Sequence, residues 1–283
     1  MVSVSLINSN GVPTSPSRGT QEFSGACPKW VYFHVPHAAT EIPHEVRSHI
    51  QLTGAALRYE LLQMTDHYTD ELFAANIPPS QVVRASVSRL VVDVERFDED
   101  ALEPMAARGM GVIYTKTHSG GSLRAELSGD ERSSYLARWY QPHHARLTAR
   151  VAAAIKNHNK ALIIDCHSYP PEPLPYETDR SGDRPEICIG TDASHTSKGT
   201  ESAFVTALTR AGYEVGLNVP FSGALVPVPF YKHDVRVESI MIEVRRDLYM
   251  DVSTGQRQAN FKDQSATLQK AISAAMRACG YQY

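Results

Sequence analysis

The sequence predicts an α/β fold in which a mostly parallel central sheet carries helices on both faces, a three-layer sandwich. Short apolar strand-like runs alternate along the chain with longer segments of helical period. Strands separated by helices call for crossover connections and hence parallel pairing. A chain of 283 residues with 42% hydrophobic and 21% charged residues is also long enough to bury a sizeable core without staples.

Residues 1–27 are rich in Ser, Gly, Asn and Pro and lack periodic apolar positions, which predicts a poorly ordered tail ahead of a single domain over 28–283. The first strand is expected over Trp30–Val35 and a second from Val82 through Val94. Between them, Leu57, Leu61, Met64, Tyr68 and Leu72 recur at helical spacing. A second helix is marked by Leu136, Tyr140, His144, Leu147, Val151 and Ile155. Strands follow over Ala161–Ile164, Ile187–Ile189 and, as a short run, just before Asn218, with Ser239–Glu243 the last. Phe204, Leu208 and Ala211 mark a third helix, and Leu268, Ile272, Ala275 and Cys279 the final one. The longest irregular stretch, from Phe97 to about Asp130, is long enough for a functional loop.

Composition removes several classes. A formal net charge of -3 and a pI of about 6.5 leave no basic face for nucleic acid. No apolar run approaches the roughly 18 residues of a membrane span. Cys27, Cys166, Cys188 and Cys279 are scattered without a CxxC pair, and no basic segment followed by an apolar stretch opens the chain. The expected setting is the reducing cytoplasm.

Ligands of open parallel sheets bind beyond the carboxyl ends of the strands. The polar residues found there are His37, then Asp93, Glu95 and Arg96, then Asp165 and His167, then Asn218, and last Glu243 with Arg245 and Arg246. Two histidines on separate strands, with carboxylates and arginines, suit a metal-assisted hydrolase. Such an enzyme needs about three protein ligands and an open position. The third ligand is expected to be a carboxylate, either Asp66 or Glu41, four residues past His37. Asp165 shares a strand face with His167 and is placed to hold its other ring nitrogen, whereas Cys166 points into the packed side. Glu243, ending a buried run, is a candidate general base, with a salt bridge to Arg245 or Arg246 the plainer alternative. Arg89 and Arg96 present forks suited to a carboxylate or an oxyanion. His144 reads as a buried, hydrogen-bonded histidine.

These residues, taken in order, resemble the N-formylglutamate amidohydrolase family. The matching segments are Val35-Pro-His37 with Glu41-Ile-Pro43, Thr65-Asp66 with Asp70-Glu-Leu72, and Arg89 with Val92-Asp93. Pro142 with His144 follows, then Ile164-Asp-Cys-His-Ser168, then Asn218 with Pro220-Phe-Ser-Gly223, and finally Ile242-Glu243 with Arg246-Asp-Leu-Tyr-Met250. The resemblance implies a phosphorylase/hydrolase-like, zinc carboxypeptidase-like fold and one zinc ion held by His37, Asp66 and His167, with Asp66 favoured over Glu41. It further implies Glu243 as base, Arg89 at the oxyanion, Arg96 on the substrate carboxylate and Asn218 lining the pocket. The activity implied is hydrolysis of an N-acyl amino acid, N-formyl-L-glutamate to L-glutamate and formate. One departure stands out. The family's Asp-Leu-Asn-Arg reads Asp93-Val-Glu95-Arg96 here, which places a negative charge where a substrate carboxylate is expected and offers Arg96 a rival partner. A γ-glutamyl or peptide substrate, and a non-catalytic binding protein on a decayed scaffold, are the alternatives.

Overall fold

A computed structural model describes residues 27–180 and 184–280. Residues 1–26 of the expected tail lie outside these, and Cys27, its last residue, is buried. Six strands form one sheet: β1 (Val31–Val35), β2 (Val82–Arg84), β3 (Ala161–Tyr169), β4 (Ile187–Gly190), β5 (Val215–Leu217) and β6 (Val237–Arg245). Their order is β2-β1-β3-β6-β4-β5. All neighbours are parallel except β4 and β6, so the sheet is mixed at one step and otherwise as the alternation of elements predicts. β1 and β3 are buried at every position, as expected of strands covered on both faces.

Seven helices surround the sheet among the described residues: α1 (His44–Arg47), α2 (Gly54–Met64), α3 (Thr69–Ala74), α4 (Gly129–Tyr135), α5 (Gln141–His158), α6 (Lys198–Arg210) and α7 (Phe261–Ala278). α5 turns Leu147, Val151 and Ala154 inward and packs on β2 and β3, while α3 packs on β1, β3 and α7. Ser128 caps α4, its Oγ accepting from Glu131 N at 3.3 Å while Glu131 returns a carboxylate to Ser128 N at 2.8 Å. Between α4 and α5 the chain takes a π-helical turn over Leu136–Tyr140, just before Pro142, which has no N–H to give an α-helical ladder.

Two expectations need correction. The second strand does not run to Val94. It stops at Arg84, and the chain bends at Ser88, whose N–H donates to Glu41 O at 2.9 Å and whose carbonyl accepts from Val91 N at 2.8 Å. Leu90, Val91 and Val92 are apolar because they fill a second core, together with Met110, Val112, Tyr114 and Leu123. The single helix expected from Leu57 to Leu72 is two, broken at Thr65–Tyr68, where Tyr68 adopts a left-handed φ of 64°. The segment from Phe97 to Asp130, expected as a long loop, is largely irregular: its buried residues pack against the loop after β2, and a short 3-10 turn spans Ala106–Arg108.

Ile163 at the centre of β3 is fully buried. Ile163→Ala is expected to cost about 2–5 kcal/mol in urea unfolding, against about 0.5 kcal/mol or less for Val228→Ala on the surface.

Candidate metal-hydrolase site

Two strand registers assemble the site. β3 pairs with β6 so that His167 stands directly across from Glu243, and β1 pairs with β3 so that His34 stands across from Asp165. His37 follows β1 after a Pro-directed exit. Asp66 reaches it through the break between α2 and α3: Asp66 N donates to His37 O at 3.0 Å, and Thr69 Oγ1 closes the turn on Asp66 O at 2.9 Å. A continuous helix would carry Asp66 away from this contact, so the break is what delivers the carboxylate.

His37, Asp66 and His167 are all buried, and one donor atom from each lies within 4.8 Å of the others. Asp66 Oδ2 is 3.6 Å from His37 Nδ1 and 3.2 Å from His167 Nδ1. His37 is oriented from behind, its Nε2 2.8 Å from Asp93 Oδ1. This leaves His37 Nδ1 buried without a hydrogen-bond partner, facing Asp66. Asp93 is itself held: Glu95 N donates to Oδ1 at 2.9 Å, Arg89 Nη2 donates to Oδ2 at 2.8 Å, and the Tyr114 hydroxyl donates to Oδ2 as well. Burial alone raises a carboxyl's pKa, but His37 and Arg89 overrule it and hold Asp93 well below the usual range. Asp66 is likewise held low against burial, by hydrogen bonds from His167 and His37 and by the charge of Arg246.

Glu243 has the opposite environment. Burial is the largest influence on it and pushes its carboxyl up to about 8. The expected alternative of a salt bridge does not form. Arg245 pairs with Asp247 at 2.8 Å, and Arg246 reaches Asp66 Oδ1 at 3.0 Å and Ser168 Oγ at 3.2 Å. Glu243 Oε2 has no hydrogen-bond partner. It lines a cavity of about 560 Å³ together with His37, Asp66, His167, Arg89, Arg96 and Arg246.

The other sequence candidates divide. Arg89 and Arg96 both reach the cavity, and Arg96 Nε lies 3.7 Å from Asp93 Oδ2 without a hydrogen bond. Glu95 does not compete for Arg96. It turns to the imidazoles, its Oε2 3.1 Å from His167 Nε2 and its Oε1 3.4 Å from His34 Nδ1. Asp165 Oδ1 is 3.1 Å from His167 Nε2 and forms its short bond, 2.7 Å, with His34 Nδ1. Cys166 is fully buried on the core side, as its place on the strand requires. His144 Nε2 bonds Val94 O at 2.8 Å. Asn218 does not line the cavity. Its amide is taken up by Thr191, accepting from the backbone N at 2.9 Å and donating to Oγ1 at 2.9 Å. Glu41 is exposed and contributes only its backbone carbonyl, to Ser88. Roles that the sequence left unassigned belong to Asp93 and Tyr114 behind His37, Arg246 beside Asp66, and Tyr176 in the cavity wall. Among them Asp93 and Arg246 carry a signal in the sequence, each as a charged residue following an apolar run. From the segment 97–130, Phe97 lines the cavity, and the rest of that wall comes from Pro170–Thr178 and Pro220–Leu225.

The sequence profile of the N-formylglutamate amidohydrolase family matches residues 30–250. Among solved structures, the chain is similar to N-formylglutamate amidohydrolase from Ralstonia eutropha JMP134, with a TM-score of 0.77 and 21% identity over 91% of this chain and 95% of that one. It is also similar to gene product Atu2144 from Agrobacterium tumefaciens, with a TM-score of 0.59 and 19% identity over 89% and 91% of the two chains. At these identities the likeness is one of fold. No curated protein matches the chain.

The raised pKa of Glu243 has a consequence for stability. The folded protein holds this carboxyl neutral to about pH 8, whereas the unfolded chain ionises it near its ordinary value. The contribution is therefore whole below about pH 4, declines as pH rises and is lost by about pH 8. A glutamine cannot ionise. In chelator, Glu243→Gln should melt above wild type by a margin that widens from about pH 5 to about pH 8.5; a margin independent of pH would contradict a buried neutral carboxyl.

Proposed function

The chain belongs to the N-formylglutamate amidohydrolase family, and from that premise we propose that it hydrolyses the amide of an N-acyl amino acid, N-formyl-L-glutamate first among them, with one zinc ion on His37, Asp66 and His167. One observation carries the reading: a buried, unpartnered carboxylate, Glu243, stands across a strand pair from one of three convergent donors. The donor set fits zinc. Tetrahedral ligands at roughly 2.0–2.1 Å from the metal lie roughly 3.3 Å from one another, and Asp66 Oδ2 stands at 3.6 and 3.2 Å from the two imidazole nitrogens. His37, fixed by Asp93 behind it, has the outer-shell support such ligands need.

When bound, zinc supplies Lewis-acid polarisation of the acyl carbonyl and makes the attacking water more acidic. The remaining work belongs to the side chains. With the cation bound beside it Glu243 would be ionised, and its Oε2, free of hydrogen bonds, would take the proton of the attacking water and pass it to the departing amine. Arg96, whose Nε makes no hydrogen bond within the protein, binds the amino acid's carboxylate. Arg89 lines the same wall. It is held by Tyr114, with Nε donating to the hydroxyl at 2.9 Å, and by Asp93, so its charge is preorganised for the oxyanion. The substrate is a small molecule, matched to the cavity's size. No helix among the described residues is long and apolar enough to cross a membrane.

Formate release from N-formyl-L-glutamate by the zinc-loaded protein tests this reading. Glu243→Gln is expected to lower kcat by about 10²–10⁴-fold while retaining zinc. Asp66→Asn should lose the ion, and Glu41→Gln should keep both ion and turnover. Arg96→Gln should act mainly on KM if its partner is the substrate carboxylate. Zinc retention with no formate release from any N-formyl amino acid would overturn the assignment of the acyl group.

A further inference from the structure

A second group of donors lies on the far side of His167. His34 Nδ1, Glu95 and Asp165 each offer one ligand atom, all within 4.8 Å of one another. His34 is completely buried and Asp165 almost so. His34 Nδ1 is 2.7 Å from Asp165 Oδ1 and 3.4 Å from Glu95 Oε1. His167 turns Nε2 toward the same two carboxylates at 3.1 Å each, yet that nitrogen makes no aligned hydrogen bond, although His167 is only 4% exposed. Glu95 Oε1 is also buried without a hydrogen-bond partner. Two carboxylates and two imidazole nitrogens crowd together, with orphaned atoms among them. Within the trio, the 3.4 Å between His34 Nδ1 and Glu95 Oε1 again approaches the roughly 3.3 Å edge of a tetrahedral zinc site.

We propose that His34, Glu95 and Asp165 form a second divalent-cation site, separated from the first by the ring of His167. The proposal rests on reading His37, Asp66 and His167 as the first site. The second site has outer-shell partners of its own. His34 Nε2 is 2.8 Å from His143 Nε2, which fixes the ring with Nδ1 toward the carboxylates, and Leu225 N donates to Asp165 Oδ2 at 3.2 Å. One nitrogen and two carboxylates suit Zn²⁺, Co²⁺ or Mn²⁺. Glu95 and Asp165 also line the catalytic cavity, so the ion has a path in from solvent. Its place behind His167 lets it fix that imidazole and add positive charge near the reacting acyl group.

The test is to strip the whole protein with chelator, titrate it with Zn²⁺ alone and count tightly bound ions, with thermal melts checking that each variant folds. Two equivalents are expected in wild type, one in Glu95→Gln and one in Asp66→Asn. The second equivalent in Glu95→Gln should weaken beyond the roughly 10–100-fold that loss of an outer-shell partner costs. Should Glu95→Gln fail to fold, the wild-type count still decides, and Co²⁺ titration gives a second readout, because two distinct sites fill with two successive changes in visible absorbance. Saturation of wild type at one equivalent, with that ion lost in Asp66→Asn, would overturn the second site and leave the first standing. Glu95→Gln binding as many ions as wild type would also overturn it. Binding of no ion by wild type would overturn both.

Discussion

Nine residues of β3 pair in parallel with nine of β6, from Ala161 beside Val237 to Tyr169 beside Arg245. Side chains alternate faces along a strand, so a slip of one residue in β6 would turn Glu243 to the face opposite His167 and bury a carboxylate beside Ile164 and Cys166 while turning Ile242 out of the core. That slip is blocked by the apolar residues on the core side, each almost completely buried. The chemistry of the site therefore depends on hydrophobic register. Core packing holds β3 and β6 in phase, and the polar ends of both strands follow.

The same logic explains why the ligands come from elements far apart in sequence. β1 leads into His37, and its pairing with β3 puts His34 against Asp165. The helix break at Thr65–Tyr68 then supplies Asp66, bonded to His37 through the backbone. Arg246, one residue past β6, secures that turn through Gln63 O at 2.7 Å as well as the Asp66 carboxylate. A charge buried this deeply persists only when partners offset its desolvation. Asp66 and Asp93 have them in His37, His167, Arg246 and Arg89, and Glu243 does not. The split in environment separates acceptors that stay ionised from a group poised to exchange a proton.

Much of this was legible in the chain itself. β1, β3, β4, β6 and the helices α5, α6 and α7 follow from apolar runs and periodicity, and His37, His167 and Glu243 follow from asking which polar residues end those runs. What was not legible has physical causes. Leu90, Val91 and Val92 read as a strand because burial in a loop demands the same apolar residues as burial in a sheet, and only Ser88, an ordinary serine, marks the bend. The break before α3 has no Gly or Pro to announce it. Its left-handed residue is Tyr68, held by tertiary contacts with Phe261 and with Gly255 O. Tyr114 reaches the site across the fold, so its role has no local pattern, and Arg246 ends an apolar run but pairs with a carboxylate far away in sequence. Asn218 ends a strand as expected, yet a left-handed φ of 57° directs its amide to Thr191.

Glu95 shows how a single exchange is read differently in sequence and in space. Beside Arg96 in the chain, it looks like a rival for the substrate's anchor, but neighbours in an irregular segment need not share a direction. Its carboxylate faces His34 and His167, and Arg96 leans toward Asp93. The orphaned buried atoms His37 Nδ1, Glu95 Oε1, Arg96 Nε, His167 Nε2 and Glu243 Oε2 all belong to residues lining one cavity. An unsatisfied buried polar atom costs about 1–3 kcal/mol, so such atoms are tolerated where something other than the protein completes them. Their concentration in one cavity, at the ends of β1, β3 and β6 and in the segment after β2, is the mark of a site whose stability and reactivity both depend on what it binds.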